Sequence, residues 1–332
     1  MKSKNLSEKI LRSVKSKGFK YIELPSVIEA NHIVQRSGEN FRKFMFSFTD
    51  INGKELCLRP DLTIASCLRY LENNLKGKEK IFYNGQAYRK VESKKDKIIR
   101  NQVGFEILGS KDEKNDDKQI INTSIKILQD LKFSSGTLTI GNIEIFNLLI
   151  SKLDIPKRWK LRLSRHFWRE EYFNDLLKRL ETNADIDPTI VEIDKKRYLD
   201  LLNKNPETMI AGRSVGEILK RFDTKIKDPR QAKRGNKVSK IIKSFLKISC
   251  PINKAAMELN KFFKKNKINL VVDQRYFPIS SNKLSKLNVK FSTSFGRHLE
   301  YYSGMVFKID VKSKSTTIKC AGGRYDRLIS DL

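Results

Sequence analysis

The sequence predicts an α+β fold in which an antiparallel sheet is flanked by helices and interrupted by a helical insertion. Three observations predict it. Apolar and polar residues alternate with period two through residues 101–108 and 305–310, as half-buried strands require. Between residues 156 and 267 the apolar spacing is almost wholly helical, with Leu176, Leu177 and Leu180, then Ile218, Leu219 and Phe222, then Ile241, Ile242, Phe245 and Leu246. Near the end, a strand, a short basic turn at 312–315 and a returning strand run into Gly322 and Gly323. The chain divides accordingly into a first part of the sheet-bearing core at 1–155, the insertion at 156–267 and a second part of the core at 268–332.

From the N-terminus, Leu6, Ile10, Leu11 and Val14 form the apolar stripe of a first helix that ends at Gly18. Residues 19–25 read as a strand that Pro25 breaks. Residues 38–48 are expected to be mobile, with 44–48 pairing with 55–58 around an Asn52-Gly53 turn. The residue before Pro60 is held extended, which ends a strand, and Asp61 or Thr63 can cap a helix over 64–75. Residues 80–89 and 101–108 make two strands joined by a long charged loop. Helices over 120–131 and 143–153 flank a strand at 137–140. After the insertion, whose apolar stripes read as its own core, the sheet resumes at 269–273.

Two places carry chemistry. In the first, alternation puts Gln102, Gly104 and Glu106 on one face and Val103, Phe105 and Ile107 on the other, giving a core face and a polar floor with a gap at Gly104. Arg89 is expected beside Gln102 and Glu106. A carboxylate next to an amide accepts from an amine or imidazole, and an arginine fork suits a carboxylate or phosphate, so an amino acid supplies the complementary groups. In the second, Arg297, Glu300, Tyr301, Tyr302, Arg324, Tyr325 and Asp326 cluster at the ends of the terminal hairpin. Gly322 and Gly323 are expected to let backbone approach a ligand and to permit positive φ.

Four ordered segments carry a family resemblance: Leu58-Arg59-Pro60-Asp61-Leu62-Thr63, then Tyr88-Arg89 with residues 100–106, then Arg297-His298-Leu299-Glu300-Tyr301-Tyr302 running on to Phe307, then Gly322-Gly323-Arg324-Tyr325-Asp326. Together they resemble the histidine-recognition motifs of histidyl-tRNA synthetases and of their noncatalytic paralogue, the regulatory subunit of ATP phosphoribosyltransferase. The resemblance implies a class II aminoacyl-tRNA synthetase-like core. It also implies a histidine site made of Asp61, Thr63, Arg89, Gln102, Glu106, Arg297, Tyr301 and Tyr302, with Asp61 and Thr63 on the amino group. The first helix and strand resemble the class II motif that builds a homodimer interface. The sequence departs from the synthetases where Leu62 replaces glycine, Asp61 is one methylene shorter than glutamate, His298 replaces glycine and Arg327 stands where glycine usually follows Asp326.

Composition bounds the rest. A chain of 332 residues with 39% hydrophobic content can bury a normal core, which excludes a disordered protein. No apolar run reaches about 18 residues and no signal-peptide core is present, so a membrane protein is not expected and the location is expected to be cytoplasmic. Cys57, Cys67, Cys250 and Cys320 are scattered, as are His32, His166 and His298, so neither a disulfide framework nor a metal site is expected. The net charge of +30 invites nucleic acid, but lysine is spread almost evenly, and the dense stretch at 225–247 reads as a solvated helix face.

No third synthetase motif and no anticodon-binding domain follow Asp326 before Leu332, and only Arg89 and Arg297 suit phosphate work. This pattern points to the regulatory paralogue: no catalytic residues, no cofactor, a short-form ATP phosphoribosyltransferase catalytic subunit and a second copy of the chain as partners, and L-histidine as effector. A synthetase catalytic core and a tRNA-like RNA-binding module remain open alternatives.

Overall fold

The computed structural model describes residues 3–37, 39–73, 77–91, 97–133, 135–182, 188–210, 212–226, 232–279, 287–296, 301–312 and 317–331. The first stretch runs α1 (Ser3–Lys15), β1 (Lys20–Tyr21), β2 (Val27–Glu29), α2 (Ala30–Ser37), a 3-10 helix (Glu39–Phe44), β3 (Phe46–Thr49), β4 (Glu55–Leu58) and α3 (Thr63–Glu72). There follow β5 (Glu79–Tyr88), β6 (Ile99–Leu108), α4 (Glu113–Asp130), β7 (Gly136–Asn142) and α5 (Ile143–Lys152). Helices α6 (Lys157–Arg165), α7 (Glu170–Thr182) and α8 (Pro188–Leu202) lead to a small hairpin, β8 (Met209–Ile210) and β9 (Arg213–Ser214), and to α9 (Val215–Ile226) and α10 (Ala232–Phe245). The chain closes with β10 (Ser249–Pro251), α11 (Ala255–Lys265), β11 (Leu287–Ser292), β12 (Met305–Lys312), β13 (Thr317–Gly323) and α12 (Leu328–Asp331).

The architecture is α+β. A five-stranded sheet has the order β10-β11-β7-β12-β13, antiparallel except where β11 runs parallel to β7. A second sheet orders β1-β5-β6, and a third β2-β4-β3. Helix α1 lays Val14 on Phe19 and Phe82, the back of the second sheet, so that sheet is covered on both faces: Ile81, Tyr83 and Leu108 join a separate cluster with α3. Among the described residues no helix is long and apolar enough to cross a membrane.

Several expectations are revised. Residues 39–44 form the 3-10 helix, in which Arg42 bonds Glu39 at 2.6 Å and reaches Glu55, where mobility was expected. Residues 269–273 form no ladder strand. The apolar alternation there is satisfied instead by Asn260 on α11, whose amide accepts from Val272 N–H and donates to Val272 C=O, both at 2.8 Å, while Val272 is buried. The apolar stripes of α7 and α10 share one cluster with Leu138, Phe291 and Phe307 of the five-stranded sheet, since stripes of that size are buried by the nearest apolar sheet face. Gly322 and Gly323 have no positive φ. They are needed because a Cβ would overlap the Phe307 ring at one and Val306 and Tyr302 at the other.

An ion cluster ties the end of β13 to two helices. Arg324 pairs with Glu113 of α4, with Glu144 of α5 at 3.2 Å and with Asp326 at 3.8 Å, and faces Asp117 of α4 across 3.7 Å. Burial pushes the Asp117 carboxyl up to about 7 against the pull of Arg324, and the neighbouring carboxylates of Asp326, Glu113 and Asp116 push the same way.

Two outcomes follow from this packing. Gly104 faces Tyr83 across the β5–β6 ladder, and a Cβ at Gly104 would overlap that ring. Gly104→Ala should therefore lower unfolding free energy in urea by about 1–3 kcal/mol. Asp117, with its folded value above its unfolded one, keeps a proton that the unfolded chain releases, so its contribution to stability is present at low pH and is lost as pH rises from about 4 to about 7. The urea midpoint of Asp117→Asn should accordingly gain on the unsubstituted protein between pH 5 and pH 8; a constant gap across that range would show that Asp117 does not titrate there.

Candidate functional site

The site is built around one carboxylate. Glu106 sits on β6, two rungs beyond Gly104, on the face that joins the Ile81, Tyr83 and Leu108 cluster. Its Oε1 accepts from the Tyr83 hydroxyl at 2.6 Å and from Thr63 Oγ1 at 3.2 Å, and its Oε2 accepts from the Tyr325 hydroxyl at 2.5 Å. Three elements distant in sequence thus place a hydroxyl on the same group. Burial raises the Glu106 pKa, the donors from Tyr325, Tyr83 and Thr63 oppose the rise, and the Asp61 charge adds to it. Burial also holds the Tyr83 and Tyr325 phenols well above their usual range, with Glu106 pushing the same way, so both remain donors.

The expected gap at Gly104 is filled. The Tyr83 ring occupies the space that a side chain at Gly104 would need, and this close approach carries its hydroxyl onto Glu106. Tyr83 has no part in the sequence-derived site. The signal for it was a glycine in the middle of a strand, which marks a place where another group approaches closely.

Asp61 is buried, and its Oδ1 accepts from Ile64 N–H at 3.1 Å, so it closes the first turn of α3. Burial raises its pKa, while that N–H and the Arg89 charge hold it down. Arg89 is not beside Gln102 and Glu106 on the ladder. In the β5–β6 register Glu106 faces Ile81 and Gln102 faces Gly85, whereas Arg89 N–H bonds Ile98 C=O at the opposite end of the hairpin. Its guanidinium donates from Nε to Pro60 C=O at 2.8 Å and lies 5.4 Å from the Phe41 ring centroid, which directs its charge toward Asp61 and Tyr301. Gln102 is half-buried on the floor.

Tyr301 and Tyr302 form one aromatic wall. Their rings are 5.0 Å apart, and Tyr301 meets Tyr325 edge-on at 6.1 Å. Burial raises the pKa of both, with the Asp61 charge adding to the effect at Tyr301 and the Glu106 charge to that at Tyr302. The contact of Tyr301 with Tyr325, which bonds Glu106, joins this wall to that carboxylate. Asp61, Thr63, Arg89, Glu106, Tyr301 and Tyr302 therefore converge. Arg297 lies outside the described residues, as do His298 and Glu300.

A neighbouring arginine has a different task. Arg59 is buried and donates to the carbonyls of Gln86 at 2.9 Å and of Leu24 and Pro25 at 2.5 and 2.9 Å, stitching the loop before β2 to β5. Gly85 leaves room for its guanidinium. Chemically, two carboxylates whose charge is disfavoured, one arginine and a rim of phenols suit a ligand that brings its own N–H donors and positive charge together with a carboxylate. Among the described residues no group of three or more His, Cys, Asp and Glu could hold a metal ion.

Comparison with known proteins identifies the family and the fold. The family model for histidyl-tRNA synthetase matches residues 1–332. The chain is 27% identical to an ATP phosphoribosyltransferase regulatory subunit of Agrobacterium fabrum over 326 residues, covering 93% of this chain and 86% of the relative. It is likewise 27% identical to the protein of that name from Allorhizobium ampelinum over 338 residues, covering 97% and 90%. Among solved structures, it resembles an ATP phosphoribosyltransferase regulatory subunit/histidyl-tRNA synthetase from Bacillus halodurans, with a TM-score of 0.57, 20% identity and coverage of 99% and 73%. It also resembles a histidyl-tRNA synthetase from Nostoc, with a TM-score of 0.59, 16% identity and coverage of 98% and 65%. The fold is that of the class II synthetase core, and the chain belongs to the histidyl-tRNA synthetase family.

Proposed function

We infer that this chain is the noncatalytic regulatory subunit of an ATP phosphoribosyltransferase and that it acts with a catalytic subunit in histidine biosynthesis. Relatives bearing that name align over nearly their whole length. The observation that carries the ligand reading is the set of three hydroxyls on Glu106, because they fix a carboxylate in an apolar cluster and leave it about one acceptor position for an added N–H donor. L-histidine brings such donors at its imidazole and its ammonium group. In this reading Glu106 and Gln102 take the imidazole, Asp61 and Thr63 the ammonium, Arg89 and Arg297 the carboxylate, and Tyr301 and Tyr302 line the side.

Feedback then requires only that L-histidine bind one arrangement of the assembly more tightly. A tenfold preference corresponds to about 1.4 kcal/mol. The short-form catalytic subunit is the partner in this scheme. A second copy of this chain is the other, and Tyr21 of β1 and Val27 of β2, on the edge strands of two different sheets, leave apolar surface exposed for it.

The test is the turnover of a short-form catalytic subunit with and without this protein while L-histidine is titrated. Turnover should switch on and then be suppressed, and Glu106→Ala or Arg297→Ala should raise the L-histidine needed for suppression by at least about tenfold. No activation, together with histidine-dependent exchange between ATP and pyrophosphate, would identify a synthetase core instead. Sedimentation of the protein alone should give a dimer; a monomer at micromolar concentration would remove the second copy from the scheme.

A further inference from the structure

The ion cluster at Arg324 sits outside the ligand groups, yet it bears on them through the chain. Arg324 precedes Tyr325, whose hydroxyl reaches Glu106. Its backbone is riveted to the neighbouring segment: Arg324 C=O accepts from Ser303 N–H at 2.9 Å, and Arg324 N–H donates to Met305 C=O at 2.8 Å. On the other side of Tyr325, Asp326 accepts from Ser303 Oγ at 2.7 Å and donates its N–H to the same oxygen at 3.0 Å. Tyr325 is therefore a single side chain held between two anchored neighbours. Ser303 in turn directly follows Tyr301 and Tyr302, so one knot joins both strips of aromatic wall.

The guanidinium packs against that knot. It donates to Glu113 of α4 and to Glu144 of α5, the latter at 3.2 Å, and a Cβ at Gly304 would overlap it, so the backbone at Gly304 lies flat against the fork. Among the described residues Arg324 Nε, although buried, finds no hydrogen-bond acceptor and faces Asp117 across 3.7 Å. The Arg324 side chain is only 14% exposed, while those of Glu113 and Glu144 are 58% and 43% exposed. A mostly buried cation is thus aimed by carboxylates at the surface of two helices that carry no ligand-binding residue.

We propose that Arg324 is a positioning residue: gripped by carboxylates of α4 and α5, it sets the Tyr325 hydroxyl against Glu106 and makes ligand affinity depend on charges that no ligand touches. The proposal deepens the L-histidine reading and rests on it only for the ligand. Arginine is needed because its planar fork engages partners on two helices at once, which a lysine ammonium cannot reproduce.

The test labels the full chain with fluorotyrosine, follows the Tyr325 resonance by fluorine NMR, and measures L-histidine affinity by calorimetry on the same protein. Arg324→Gln should move the resonance in the direction that Glu106→Gln moves it and weaken L-histidine by about tenfold. Arg324→Lys should recover part of both. Glu144→Gln, at a half-exposed carboxylate that folding tolerates, should give a smaller shift of the same sign. In a Tyr325→Phe background Arg324→Gln should cost no further affinity, since the hydroxyl it positions is gone. Equal losses in both backgrounds, or a Tyr325 resonance indifferent to Arg324 and Glu144, would overturn the proposal. If the unsubstituted chain takes up no L-histidine, the ligand reading falls, while the fluorine resonance still decides whether Arg324 positions Tyr325.

Discussion

A carboxylate set into an apolar cluster must be met by donors, and Glu106 is met by hydroxyls from α3, β5 and the segment after β13. Each donor comes from a different part of the chain, so the arrangement exists only when the second sheet, α3 and the terminal hairpin have docked together. Leu328 of α12 packs in the same apolar cluster as Ile64 and Leu68 of α3, which brings Tyr325 into range. The polar centre and the apolar cluster are mutually dependent: the cluster raises the value of each hydrogen bond, and the hydrogen bonds make the burial of a carboxylate tolerable.

Glycine contributes to this arrangement through volume more than through backbone freedom. Gly104 leaves space for Tyr83, Gly85 for Arg59, Gly304 for Arg324 and Gly322 for Phe307, and none of the four has positive φ. Of these partners Tyr83 bonds Glu106, Arg324 pairs with carboxylates of two helices, Arg59 braces backbone carbonyls and Phe307 fills the main apolar cluster. Where positive φ is needed, the glycines lie elsewhere, as at Gly18 after α1 and Gly53 in the β3–β4 turn.

The chain's +30 charge hides a division among its cations. Lysines such as Lys54 and Lys243 pair at the surface, where an ion pair contributes little. The arginines Arg59, Arg89 and Arg324 are mostly enclosed and bond to backbone carbonyls or to carboxylates of other elements. Their planar forks serve as cross-braces between parts of the chain that share no ladder.

Most local structure was legible in the residues. The helical stripe to Val14, the β3–β4 turn at Asn52-Gly53, the β5–β6 hairpin and the terminal hairpin all follow from periodicity and turn chemistry, which act over a few neighbouring residues. The ordered motifs also pointed to the family, because the residue types that meet a ligand stand in recognisable order. Helix α4 begins at Glu113, seven residues before its apolar stripe, because acidic residues in the first turn suit a helix N-terminus whatever their polarity. What the residues in order could not show was what each side chain would meet. Tyr83 in the gap at Gly104, Arg89 bonded to Pro60, Asn260 replacing a strand partner for Val272, and Arg324 between two helices are all contacts between segments far apart in the chain. By itself the sequence determined most of the segments that become helix or strand, though not the absence of a strand at 269–273, and which residue types a ligand would find, since these depend on local periodicity. Only the tertiary structure decided which hydroxyls and charges share one carboxylate, since that depends on the packing of surfaces that no local pattern encodes.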